Sequence, residues 1–448
     1  MMNRREFLAS SAAGLLGAET TASKPNIVFL LADDLGYGDL SCYGQKRFST
    51  PNLDRIAAEG TRFTQAYAGS TVCAPSRCCL MTGLHSGHAT VRGNKKPEVG
   101  LRPEETTVAS LLQKAGYETA LFGKWGLGGP ATGSVPNTRG YDHFYGYLNQ
   151  LHAHNYYPSH LWDNQNEAFL TENWFNQRKQ YSPDLIHRRT LDFLEQDRAK
   201  PFFLYLAYTI PHANNELGRY QGNGMEIPDN APFSGRDWPE TEKNFAAMVT
   251  RLDRDAGDIL DALKRKGLDS NTLFIFSSDN GPHREGGHDP EFFNSNGPLR
   301  GIKRDLYDGG IRVPFLARWP GRVPAGRTSD QVFAFWDLLP TAAELAGASA
   351  PPGIDGASVF PALLGNRQTS HEYLYWEFHE GGFKQAVRMG EWKGVRLSAG
   401  GPVELYNVVE DIGETKDLAA ANPQVVKKIG QIMAHARTES ALFPIQKS

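Results

Sequence analysis

The sequence predicts an α/β fold: a large, doubly wound, mostly parallel sheet flanked by helices, followed by a small C-terminal antiparallel sheet with a helix. Three observations carry this reading. Continuous apolar runs, not alternating ones, recur at 26–31, 202–208 and 272–277, as expected for strands covered on both faces. Amphipathic stretches stopped by glycine stand between them, the punctuation of intervening helices. Beyond residue 366 the texture changes to short strands joined by tight Gly turns.

The bulk properties are those of an ordinary globular chain. There are 448 residues, a net charge of −3, 40% hydrophobic and 22% charged residues, enough for a large core and more than one domain. No basic block points to nucleic acid. No apolar run reaches the ~18 residues that a membrane span needs. Of four cysteines, three lie within 73–79, so they form no disulfide framework, and Cys42 reads as a buried thiol. Asn3-Arg4-Arg5-Glu6-Phe7-Leu8 and the mildly apolar run after it have the pattern of a twin-arginine signal. We expect a leader over 1–22, export to the periplasm or beyond, a large α/β domain over 23–368 and an α+β subdomain over 369–448. A basic tail is the alternative for the leader.

Taken in order, the first strand (26–31) ends in Ala32-Asp33-Asp34-Leu35-Gly36. Adjacent carboxylates repel unless a cation lies between them or one is protonated, and a hard divalent metal suits this place. A solvated turn is the bland alternative. Helices are expected at 51–59 and 104–114, the latter stopped by Gly116. A strand at 118–122 then delivers Lys124 in Gly123-Lys124-Trp125-Gly126-Leu127-Gly128. Residues 129–176 are long, aromatic and rich in Gly, His and Asn. His152 and His154 there have the alternation of a zinc pair but no supporting Cys or carboxylate spacing, so sugar contacts are preferred. A helix at 183–196, a strand at 202–208 ending in Pro211-His212, an irregular insertion at 213–240 and a long helix at 241–266 follow. The strand at 272–277 ends in Ser278-Asp279-Asn280-Gly281, whose oxygens suit calcium or magnesium. A Gly-rich loop (286–310) carries His288 and Lys303. Then come a strand at 313–318, a helix at 337–345, short strands at 373–378, 384–389, 392–397 and 403–406, and a helix at 422–437. Asp33, Asp34, Lys124, His212, Asp279 and Asn280 all follow strands, at the sheet edge where such folds bind ligands.

The helix at 73 carries the most information. It reads Cys73-Ala74-Pro75-Ser76-Arg77-Cys78-Cys79-Leu80-Met81-Thr82-Gly83. Pro75 suits a first helical turn, so Cys73 stands at the helix mouth and Arg77 one turn inside. Free N–H groups and the arginine charge would hold an anion against residue 73. The stretch matches every fixed position of C-x-P-S-R-x-x-x-x-T-G and so resembles the type I sulfatases of the alkaline-phosphatase-like superfamily. The resemblance runs from Pro25 to the C-terminal helix. It implies that Cys73 is oxidised by a maturation enzyme to Cα-formylglycine, whose hydrated aldehyde is the nucleophile. It also implies one calcium ion, with magnesium second, held by Asp33, Asp34, Asp279, Asn280 and residue 73. Arg77 then anchors the modified residue, while Lys124, His212 and Lys303 match sulfate-binding and leaving-group residues. One departure stands out: the family's G-K-W-H-L-G has Gly126 at its histidine. That His contacts the formylglycine hydroxyl and helps release sulfate in the family, so another group, with His212 the candidate, must do its work, or release is slow.

The expected reaction is hydrolysis of a sulfate ester on a carbohydrate, with a galactose-type sugar favoured and His154, His288 and His379 as candidate sugar contacts. A phosphomonoesterase or phosphodiesterase of the related fold is the first rival, but such sites carry Ser or Thr nucleophiles and more His ligands. A non-catalytic binder of sulfated glycans is the second.

Overall fold

The computed structural model describes residues 24–368 and 371–445. The expected leader at 1–22 lies outside them, as do Thr369 and Ser370, where the boundary between the two expected domains falls.

Among the described residues there are sixteen strands: β1 Asn26–Ala32, β2 Thr61–Phe63, β3 Ala66–Tyr67, β4 Glu118–Lys124, β5 His143–Tyr147, β6 His160–Asp163, β7 Asn166–Phe169, β8 Phe202–Ala207, β9 Thr272–Ser278, β10 Phe315–Arg318, β11 Arg327–Ser329, β12 Phe333–Ala334, β13 Leu374–Phe378, β14 Lys384–Met389, β15 Trp392–Arg396 and β16 Glu404–Asn407. Ten make one sheet in the order β11-β2-β10-β9-β1-β8-β4-β5-β6-β7. Its five central strands, β9-β1-β8-β4-β5, are all parallel. Antiparallel pairs are confined to the flanks, β10 against β9 and β2 on one side, β6 and β7 on the other. The small sheet, β13-β14-β15-β16, is antiparallel throughout.

The apolar runs explain the layers. Along β1, Ile27, Phe29 and Leu31 point into one core with the helices Cys73–Thr82, Val108–Lys114 and Leu338–Leu345. Val28, Leu30 and Ala32 point into a second core with the helices Pro51–Ala58, Ser182–Glu195 and Glu240–Arg265. A strand flanked by two cores has no polar face, so its sequence shows no alternation. A third, smaller core joins Tyr375, Val387 and Leu405 of the small sheet to Ile429 and Met433 of the helix Pro423–His435.

Three expectations change. Residues 129–176, for which the sequence suggested no element, contain β5, β6 and β7, which extend the sheet; Gly and Asn break their apolar pattern without preventing strand pairing. The helix expected from 104 starts at Val108, where Thr107 accepts a hydrogen bond from the Ser110 N–H and closes a capping box. The insertion at 213–240 contains the helix Asn215–Gln221, capped by the Asn214 side chain.

Candidate active site

The parallel centre of the sheet aligns strand ends that are far apart in sequence. Asp33 and Asp34 follow β1, Asp279 and Asn280 follow β9, Lys124 ends β4, and His212 lies just beyond β8. These four strands are consecutive neighbours, so their carboxyl ends meet along one edge.

The side chains interlock there. The Arg77 guanidinium donates from Nε and Nη2 to Asp279 Oδ2 at 3.0 and 2.8 Å, and from Nη1 to the Lys124 carbonyl at 2.9 Å. Lys124 Nζ donates to Asp33 Oδ2 at 2.7 Å, and Lys303 Nζ to Asp34 Oδ2 at 2.7 Å and Glu285 Oε2 at 2.9 Å. Asn280 Nδ2 donates to Asp34 Oδ1 at 2.7 Å. His212 Nε2 lies 3.3 Å from both Lys303 Nζ and Asp34 Oδ2, while its Nδ1 is 2.6 Å from the Ala213 carbonyl. That carbonyl places the ring proton on Nδ1 and leaves Nε2 as an acceptor.

Three carboxylates are thus buried beside three cations, and their titration reflects it. Burial raises the carboxyl of Asp33, but Lys124 and Arg77 outweigh it and hold the group well below the usual range. Asp34 is likewise held down, Lys303 and His212 overcoming burial. Asp279 goes the other way, pushed up to about 7 by burial and then by Asp33, despite Arg77. His212 is pushed down to about 3, chiefly by burial, so it is neutral at physiological pH. Burial also raises the Cys73 thiol, against the pull of Lys124. An unmodified Cys73 is therefore a thiol rather than a poised thiolate.

The donor set fits a hard divalent cation. Asp33 Oδ1 and Asn280 Oδ1 are buried with no hydrogen-bond partner, and buried oxygens of that kind are rarely left unpaired. Both are hard ligands of the sort that calcium and magnesium take.

Cys73 opens the helix Cys73–Thr82, and Lys124, Asp33, Lys303 and Asp279 all act on its thiol. Beside it lies a cavity of about 340 Å³ lined by Ala74, Asn94, Lys95, Lys96, Glu98, Gly126, Gln150 and Leu151 among others. The structure thus brings together Asp33, Asp34, Cys73, Arg77, Lys124, His212, Asp279, Asn280 and Lys303. His154 joins them, its ring stacked on His212 at 4.9 Å and its Nδ1 2.9 Å from Glu216. His379 borders a neighbouring cleft with Asn94, Lys95, Glu380 and Phe443, and its Nε2 is 2.9 Å from Glu377.

His288 does not match its expected place. It is 1% exposed, stacked on Phe245 at 3.9 Å and bonded to Glu242 at 2.7 Å. Packing in the second core takes it off the cavity wall. Two residues escaped the sequence reading. Glu285, tied to Lys303 and Arg304, follows Asp279-Asn280 by a few residues, and that proximity was its one signal. Gln150, 3.1 Å from the Cys73 sulfur, had none, since a glutamine in an aromatic loop looks like any polar surface residue.

Comparison with known proteins finds relatives over nearly the whole chain. Residues 25–348 match the family model Sulfatase, and 302–439 match the model "N-sulphoglucosamine sulphohydrolase, C-terminal". Arylsulfatase G of Rattus norvegicus is 31% identical over 94% of this chain and 88% of its own length. N-acetylgalactosamine-6-sulfatase of Canis lupus familiaris is 34% identical over 87% and 74%. The structure of Ps i-CgsB in complex with k-i-k-neocarrahexaose superposes with a TM-score of 0.80 at 31% identity, covering 92% of each chain. By the extent of these matches the chain belongs to the sulfatase family, and its activity is that of a sulfuric ester hydrolase.

Proposed function

We propose that the protein removes sulfate from a sulfated carbohydrate, with a Cα-formylglycine made from Cys73 as nucleophile and one calcium ion held by Asp33, Asp34, Asp279, Asn280 and residue 73. The observation that carries this is the meeting of the Cys73 helix mouth with two unpartnered oxygens, Asp33 Oδ1 and Asn280 Oδ1, at one sheet edge. When present, the aldehyde hydrate supplies an attacking hydroxyl and the cation draws charge from the ester oxygens.

The chain's own groups do the rest. Arg77 fixes the metal-facing carboxylates by holding Asp279 and reaching Asp33. Lys124 and Lys303 offset negative charge on the sulfate as it is attacked. The Lys303 ammonium supplies the proton that lets the alcohol depart, and the neutral His212, whose Nε2 lies 3.3 Å from it, receives a proton in exchange. His154, against His212, and His379, in the adjoining cleft, are offered as sugar contacts, and His288 is withdrawn. A galactose-type sugar is supported by the 34% identical N-acetylgalactosamine-6-sulfatase, and an oligosaccharide by the neocarrahexaose complex. A maturation enzyme as partner and export by a twin-arginine leader complete the reading; among the described residues no helix is long and apolar enough to cross a membrane.

The test is a panel of sulfated sugars assayed for sulfate release, with the mass of the residue-73 peptide measured alongside. Converted protein that releases sulfate from sugars supports the reading; converted, metal-loaded protein that releases none overturns it. Removing divalent metal with a chelator is expected to abolish turnover and lower the melting temperature, and calcium to restore both. A melting temperature indifferent to chelator and calcium would refute the metal assignment.

A further inference from the structure

Gly126 has φ +70, a conformation that a side chain enters only at a cost. The space its Cβ would need is already taken, since that atom would lie 2.1 Å from Nε2 and 2.9 Å from Cδ of Gln150. Gln150 is held there through both its main chain and its side chain. Its backbone N–H donates to Glu98 Oε1 at 3.1 Å, and its Nε2 donates to the Gly126 carbonyl at 3.4 Å. Its Oε1 accepts from the Cys73 sulfhydryl at 3.1 Å. Asn94 approaches the same sulfur at 3.8 Å. His212, the expected stand-in at this spot, is engaged instead with Lys303 and Asp34.

We infer that Gln150 is the positioning residue for the reacting side chain at 73, working from the volume that a side chain at 126 would otherwise fill. The inference rests on the reading of residue 73 as nucleophile. The sulfur stands here for the side-chain oxygen of the matured residue. An amide meets such an oxygen in either role, because it carries an acceptor oxygen and two donor hydrogens. It neither takes nor releases a proton in the physiological range. An imidazole in the same volume would titrate between about pH 5 and 8. Gln150 therefore orients without adding an ionisation, and proton movement is left to the Lys303 and His212 side of the site.

The experiment uses the full chain matured at residue 73, with rates expressed per converted residue and conversion read from the peptide mass. Gln150→Ala is expected to lower kcat at least about tenfold with KM changed less than about threefold, while conversion and melting temperature are retained. Gln150→Glu keeps the size and adds a titratable group, so its kcat–pH profile is expected to gain an ionisation that the parent lacks. Gly126→His alone is expected to lose activity through collision with Gln150. The double variant Gly126→His with Gln150→Ala is expected to regain most of it, with a new ionisation near pH 6–7 from the introduced imidazole. Parent-like kcat in Gln150→Ala, or a parent-like profile in Gln150→Glu, overturns the inference and leaves the sulfatase reading intact. A matured parent that releases no sulfate overturns the sulfatase reading itself.

Discussion

Cys73 and Arg77 lie one helical turn apart and do different jobs. Cys73 has few polar contacts, Gln150 at 3.1 Å and Asn94 at 3.8 Å. Cys73→Ala is expected to abolish sulfate release while changing stability by about 1 kcal/mol or less, which activity assays and urea denaturation on one preparation will show. Arg77 is 1% exposed and bonds Asp279 twice and the Lys124 carbonyl once. Its removal strands the buried Asp279 carboxylate and leaves Asp33 with Lys124 alone. Arg77→Ala is therefore expected to cost about 3–5 kcal/mol in urea denaturation. Arg77→Lys should recover little of that, because an ammonium cannot reproduce the guanidinium fork.

The elements matter here through how closely the central strands approach. In register across β8, β4 and β5 stand Ala207, Gly123 and Gly146, three small residues beneath the site. Gly123 has φ +121, and a Cβ on it would lie 2.0 Å from the Ala207 carbonyl oxygen. Gly123→Ala should pry β4 from β8 where they deliver Lys124 and His212. The expected outcome is a loss of about 2 kcal/mol or more together with activity, and faster amide exchange in both strands. The cap at Thr107 offers the contrast. Its hydroxyl accepts from the Ser110 N–H at 3.0 Å and donates to the Arg139 carbonyl at 2.7 Å. Thr107→Ala is expected to cost about 1–2 kcal/mol and leave kcat unchanged.

On the scale of the molecule, the small sheet supports the segment that forms one wall of the cavity. Glu377 in β13 accepts from Arg92 Nη1 and Arg437 Nε, both at 2.8 Å, and lies 2.9 Å from His379. Glu380, just beyond, accepts from the Asn94 N–H at 2.9 Å and so braces the segment beside Cys73. Burial raises the Glu377 carboxyl, but His379, Arg92 and Arg437 outweigh it and bring it down to about 2 from its ordinary 4.5. A carboxyl depressed by folding lends stability that is complete above its unfolded value and vanishes as pH falls toward its folded one. The contribution is on the order of 2–3 kcal/mol. Melting temperature should therefore fall between pH 4.5 and 2. Glu377→Gln should flatten that part of the decline while lowering the melting temperature at pH 7, and an unchanged acid limb would refute the linkage.

What could be read in advance was whatever leaves a local trace. Strands buried on both faces show as unbroken apolar runs, so β1, β8 and β9 were legible, with the carboxylates after β1 and β9 and His212 after β8. The helix beginning at Cys73 announced itself through Pro75, and its fixed residues carried the family resemblance. Strand order decided the rest, and order depends on packing between segments hundreds of residues apart. That β9, β1, β8 and β4 are neighbours is what turns Asp33, Lys124, His212 and Asp279 into one site. The same packing buried His288 against Phe245, made strands of 129–176, and set the Gln150 amide in the space left by Gly126. A side chain's neighbours across the fold write nothing into its own local sequence, so these contacts became visible only once the chain was folded.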